Sequence, residues 1–118
     1  MQATFEAEME PAPPIDASAA FMASQLSQAR GLLELEETSV LAIIMPAAGA
    51  DHADWRRALA RDLAREYSPK RVNIISGNDR ARMRETLTYL RNAPGVTGHY
   101  LVTDEGSNNA NTGSDRGR

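Results

Sequence analysis

The sequence contains no cysteine, and this absence excludes disulfide bonds and thiolate metal sites. No run of apolar residues approaches the ~18 that a membrane-spanning helix needs. A basic, apolar leader is also missing, because Glu6, Glu8 and Glu10 stand where a secretory signal would carry positive charge and apolar residues. These absences predict a cytoplasmic protein with no membrane partner.

A concentrated basic region is lacking as well. The whole chain of 118 residues carries a formal charge of −3; residues 1–15 hold −3 and residues 104–118 hold −1, which leaves +1 for residues 16–103. Nucleic-acid binding requires Lys and Arg clustered on one face. The charge distribution therefore predicts no nucleic-acid partner.

Apolar patterning is confined to the middle of the chain. The proline-rich, acidic residues 1–15 and the polar residues 107–118 are predicted to be disordered tails around one α/β domain at 16–106. Within it, helices are expected near 17–35, 52–67 and 79–92, with Asp16 capping the first and Asn78 or Asp79 the third. They alternate with three strands, SVLAIIM, RVNIIS and HYLVT. This order predicts a small three-stranded parallel sheet, with right-handed crossover helices on one face and only the leading helix free to reach the other.

Four short motifs follow one another in the second half of the chain. They are the Leu63–Glu66 run, Arg71–Asn73, Tyr89–Leu90 with Val96–Gly98, and Asp104 with Gly106. Residues of about 58–106 thereby resemble the last third of the short-chain dehydrogenases/reductases. The resemblance implies a degenerate, Rossmann-like half-domain.

The departures from this family concern its chemistry. Its Gly-rich nucleotide turn does not occur here, nor does its Tyr-x-x-x-Lys pair, whose aligned positions are Gly49 and Ala53. Gly77-Asn78 replaces the Pro-Gly that contacts cofactor in the family. The resemblance thus implies a pseudoenzyme, with no catalytic, cofactor-binding or metal-binding residues and no cofactor of its own.

Few other residues suggest a site. Asp51, His52 and Asp54 are interpreted as a helix start, since carboxylates are favoured there by capping and by the helix dipole. Gly77 and Asn78 precede a helix and are candidate anion contacts, although a plain turn explains them equally well.

Association is the remaining expectation. The strand SVLAIIM would become an exposed apolar edge in a three-stranded sheet, and such edges are usually covered or paired. In the family, helices equivalent to 17–35 and 52–67 form a four-helix dimer interface. The resemblance therefore implies a homodimer, or a larger protein partner, with candidate interface residues Met22, Leu26, Trp55 and Leu59.

Three functions stay open at this point. The first is a non-catalytic protein that acts through association. The second is an accessory subunit of an NAD(P)-dependent oxidoreductase whose nucleotide-binding half lies on another chain. The third is a small-molecule or anion sensor that uses the carboxyl ends of the strands, where open α/β sheets bind ligands.

Overall fold

The fold is one parallel sheet between two layers of helices. A computed structural model describes residues 1–103. Its four strands lie side by side in the order β1-β2-β3-β4, and every pair is parallel. The elements in chain order are β1 (Gln2–Glu6), α1 (Pro14–Ser24), α2 (Leu26–Leu33), β2 (Val40–Met45), a 3₁₀ turn (Ala50–His52), α3 (Ala53–Glu66), β3 (Arg71–Ser76), α4 (Arg80–Arg91) and β4 (Tyr100–Val102).

Strand β1 corrects two predictions. Residues 2–6 were expected within a disordered tail, but they pair with β2 in the register Gln2↔Val40 to Glu6↔Ile44. The apolar strand SVLAIIM is consequently a central strand, and the edge that we expected there lies at β1 instead. The physical reason is that pairing with β1 satisfies the backbone groups of a fully buried strand.

The two faces of the sheet are covered by different helices. Leu41 and Ile43 of β2 pack in one core with residues of α1, α2 and α3. Ala42, on the opposite face, packs with Met83 and Leu90 of α4. Helix α4 therefore lies opposite α3, and the β3-to-β4 crossover has the opposite hand to the two before it. The prediction that the connecting helices share one face was wrong, because the central strands are apolar on both faces and need a second layer.

The first helix also differs from its prediction. The expected helix at 17–35 is divided at Gln25 into α1 and α2. The Gln25 side chain bonds the backbone of Glu8 twice, donating to its carbonyl and accepting from its N–H, and so holds the segment that follows β1. Helix α1 begins at Pro14 with Asp16 in its first turn, so Asp16 is not the N-cap. Asp79 caps α4, as expected, by accepting from the N–H groups of Ala81 and Arg82.

The predictions for Asp104, for Gly106 and for residues 107–118 fall outside the described residues. Within residues 1–103, no helix is long and apolar enough to cross a bilayer.

Candidate functional site

An open pocket lies at the carboxyl ends of β1, β2 and β3. Its volume is about 540 Å³, within the ~300–1,000 Å³ that ligand sites occupy. The pocket wall combines apolar and basic side chains from the strand ends and from α4; among them are Met9, Ile44, Met83, Arg80 and Arg84. The candidate anion contacts Gly77 and Asn78 also line it.

The polar groups at this pocket are largely engaged within the protein. The Gly77 N–H donates to the Met45 carbonyl at 3.1 Å, and Asn78 Oδ1 accepts from the Ala47 N–H at 3.2 Å. The N–H groups of Ala81 and Arg82, in the first turn of α4, donate to the Asp79 carboxylate. Since these groups hold the loops after β2 and β3 together, anion binding at Gly77 and Asn78 stays a prediction with little geometric support.

The four candidate interface residues lie at different depths. Met22 is 41% exposed, whereas Leu59 is only 6% exposed and belongs to the core. Leu26 and Trp55 are half-buried and pack against the same core. The Trp55 ring lies 6.4 Å from the Phe21 ring, and its indole N–H donates to His52 Nδ1 at 3.1 Å. Of the four, Met22 presents the largest exposed fraction to a partner.

Helix α1 is apolar on its outer as well as its inner face. Ala17 and Phe21 are buried beneath it. Ile15, at 82% exposure, and Met22 lie on the outside together with the exposed Ala19 and Ala23. The neighbouring α3 is different, because its exposed side chains include Arg57, Arg61, Asp62 and Arg65. A surface helix normally carries polar residues on its outer face, so the outer face of α1 is the unusual surface.

The most unusual buried side chain is Arg56, which the sequence analysis did not single out. It is only 2% exposed. Its Nη1 donates to the Pro46 carbonyl, Ser76 Oγ and Tyr100 Oη at 3.0, 3.3 and 3.2 Å. The guanidinium also lies 5.6 Å from the Trp55 ring and 5.9 Å from the Tyr100 ring. The signal was available, since Arg56, Leu59, Ala60 and Leu63 follow the helical spacing of a buried stripe.

A second arginine joins α2 to α3 at the surface. Arg30 forms a bidentate pair with Glu66 at 2.7 and 3.1 Å, and its Nη1 also donates to Tyr67 Oη. The hydrogen bonds from Arg30 hold the pKa of the Glu66 carboxyl below its usual range. The same carboxylate raises the pKa of Arg30. This pair therefore joins α2 to the end of α3, and the charged groups of both residues are used in that contact.

The family's acid/base positions carry no titratable side chain in this fold. Gly49 is exposed just before the 3₁₀ turn, and Ala53 opens α3. Among the described residues, no group of three or more His, Cys, Asp or Glu side chains is arranged to hold a metal ion.

A parallel sheet between helix layers, with a pocket at the carboxyl ends of its strands, defines the Rossmann-like class of α/β proteins. The chain matches, over residues 5–103, the family model described as SDR-like, short chain dehydrogenase-like protein, and it belongs to that family. No curated protein and no solved structure matches it.

Proposed function

We propose that this protein acts through association rather than catalysis, and that the outer face of α1 binds a second copy of the chain. The observation that carries the proposal is the apolar outer face of α1, where Ile15, Ala19, Met22 and Ala23 are exposed. Burial of apolar surface is the main driving force of association.

A second copy suits this surface for two reasons. The only charged residue of α1 is Asp16, so two α1 helices can meet about a two-fold axis without opposing rows of like charge. Ala19 and Ala23 are small, and they let the helix backbones approach closely. The charged outer face of α3 would border the contact as a polar rim.

The size of the surface limits the strength of the dimer. A helix of 11 residues is about 16 Å long and about 10 Å wide. That footprint is well below the ~800 Å² that each partner buries in a stable complex. We therefore expect a dimer that dissociates on dilution unless neighbouring loops enlarge the contact.

The test is sedimentation velocity of the full chain between about 1 and 500 µM. Met22→Glu places a charge on the outer face of α1 and should leave the protein monomeric at every concentration. Thr88→Glu makes the same charge change on an exposed position of α4, on the other side of the sheet, and should dimerise like the wild type. A wild type that stays monomeric, or a Met22→Glu variant that dimerises equally, would refute the proposal.

The outer edge of β1 favours a second candidate, an accessory subunit of a dehydrogenase-like protein. Backbone groups of a strand alternate sides; the Met1 carbonyl accepts from Ser39, just before β2, and the Ala7 N–H donates to Ile44 of β2. Those of Gln2, Thr4 and Glu6 therefore point away from β2, and within residues 1–103 no strand pairs with them. An extended segment of a larger nucleotide-binding chain would add to this edge by backbone hydrogen bonds.

This candidate makes its own prediction. The chain should change the NAD(P)H turnover of a co-expressed full-length family member, and Thr4→Pro should abolish the effect by removing an outward N–H. An unchanged turnover would count against the accessory role and would leave the proposed dimer untouched.

A further inference from the structure

A row of three arginines runs along one exposed flank of α3. Arg57, Arg61 and Arg65 are four residues apart, so their side chains lie on the same side of the helix over a length of about 12 Å. The side chain of Arg57 is 47% exposed and that of Arg65 is 73% exposed, and Arg61 is exposed as well. All three guanidinium groups are therefore accessible to a ligand in solution.

An open groove lies between this row and the segment that leads into β4. Its volume is about 630 Å³. Thr97, Gly98 and His99 line it opposite the arginines, and Ser68 lines it beyond the end of α3. Among the described residues no acidic side chain lines the groove, and Tyr100 is its one large apolar lining residue. The lining is thus rich in positive charge and hydrogen-bond donors, and it lacks the apolar wall that most ligand pockets have.

The wall opposite the arginines packs closely against α3. Gly98 has a φ of +78°, and a Cβ added there would lie 3.5 Å from the Ala64 Cβ and 3.7 Å from the Arg61 Cα. The Gly98 N–H donates to the Val72 carbonyl at 2.7 Å, and Thr97 Oγ1 accepts from the Val72 N–H at 3.0 Å. Because the Thr97 oxygen is the acceptor in that bond, its hydroxyl proton can be donated to a ligand. These contacts fix the distance between the two walls.

Two of the arginines already form ion pairs at the surface. Arg57 lies 3.3 Å from the Asp54 carboxylate, and Arg65 lies 3.9 Å from that of Asp62. Exposed pairs of this kind contribute little to stability. A ligand with several negative charges would bind all three arginines at once and displace single carboxylates, so the groove does not require arginines without partners.

We propose that this groove binds a small ligand that carries two or more adjacent phosphoryl groups. The guanidinium fork binds phosphate oxygens in pairs. A phosphoryl group has up to two negative charges and three acceptor oxygens, so it can accept from an arginine and from the Thr97 hydroxyl together. The site is independent of the α1 dimer, because Trp55, which contacts Phe21 of α1, and Arg57 are two residues apart and point to opposite sides of α3.

The experiment is isothermal titration calorimetry of the full chain with sodium tripolyphosphate. An ionic strength of about 0.15 M suits it, since exposed charges more than ~8 Å apart are then largely screened. We expect saturable binding of one tripolyphosphate per chain. Trisodium citrate, which also carries three anionic groups, should bind several-fold more weakly because each carboxylate has less charge and fewer acceptor oxygens.

Two matched variants locate the site. Arg61→Gln removes the middle of the row and should weaken tripolyphosphate binding about tenfold or more, as expected for lost hydrogen bonds to a charged group. Arg61→Lys keeps the charge without the fork and should restore only part of the affinity. Arg84→Gln makes the same charge change as Arg61→Gln, but on an exposed position of α4 beside Arg80 and Arg82, and should leave the affinity unchanged.

NMR gives a readout of position that needs no variant. The backbone amide of Gly98, in the groove, should shift in a saturable manner with tripolyphosphate, whereas that of Gly31, in α2, should not. Four results would overturn the proposal: no saturable binding up to about 10 mM tripolyphosphate, a limit that corresponds to very weak affinity; citrate binding of equal strength; an equal loss of affinity in Arg84→Gln; or a Gly98 amide that does not respond.

Discussion

The hydrogen bonds of β1 allow a test in which two adjacent residues give opposite results. The Ser39 N–H donates to the Met1 carbonyl and the Ala7 N–H donates to the Ile44 carbonyl. Alternation along the strand then directs the Ala3 N–H to the Val40 carbonyl and the Thr4 N–H away from the sheet. Proline removes an N–H and restricts the backbone at either position. Ala3→Pro should therefore break the ladder, whereas Thr4→Pro should not.

The expected cost follows from burial at β2. Val40 is 2% exposed, so its carbonyl would be left buried without a donor. Such a group costs about 1–3 kcal/mol. In a domain of this size, that loss lowers the midpoint of thermal unfolding by about 4–20 °C.

The assay is calorimetry or circular dichroism of the two variants at one protein concentration. Because the constraint of the proline ring is common to both, the difference between their midpoints isolates the ladder hydrogen bond. Equal losses in the two variants would show that β1 does not pair in this register, and the four-stranded sheet would have to be abandoned.

Three further tests concern other contacts. Leu59→Ala should lower the free energy of unfolding in denaturant by about 2–5 kcal/mol, because it empties a core position, and should leave dimerisation unchanged. Met22→Ala should lower it by less than about 1 kcal/mol. If Leu59→Ala alone abolished the dimer, Leu59 and not Met22 would be the interface residue. Asp79→Ala should cost about 1 kcal/mol by removing the N-cap of α4, and an unchanged unfolding midpoint would contradict that cap. The pKa of Glu66 is lower in the folded than in the unfolded protein, so its pair with Arg30 stabilises the fold above the ordinary glutamate pKa and loses this effect as pH falls through the folded value. Thermal unfolding of Glu66→Gln should accordingly show a weaker acid destabilisation than the wild type, with Glu36→Gln as the control for removing an exposed charge.

The sequence predicted the alternation of helices and strands because the central elements carry strong, distinct periods. β2 is a continuous apolar run, β3 is rich in β-branched residues, and α3 repeats its apolar residues every three to four positions. β1 escaped prediction because an edge strand needs few apolar residues; its Phe5 is only half-buried, and acids and prolines follow it. The apolar pattern of the sequence also did not show on which side of the sheet α4 packs, since that depends on which face the earlier helices leave uncovered.

The candidate site residues, like the fold, were predicted only in part. Gly77 and Asn78 were placed correctly at the carboxyl end of β3, but their polar groups bond the neighbouring loop, and such tertiary contacts leave no trace in a local motif. Arg56 was not singled out because an arginine beside Arg57 suggests a solvated surface. The helical spacing to Leu59 pointed the other way, and residue type was given more weight than position.

The all-parallel order of the sheet has a consequence for how the chain folds. Adjacent strands are joined through partners such as Gln2 and Val40, Val40 and Arg71, and Ile74 and Tyr100, so each sheet contact closes a loop of some 26 to 38 residues. Loops of this length make the contact order high and the folding slow, because chain entropy is lost before the strands can pair. During synthesis β1 leaves the ribosome long before β2 and must wait without a partner until residue 45 has emerged.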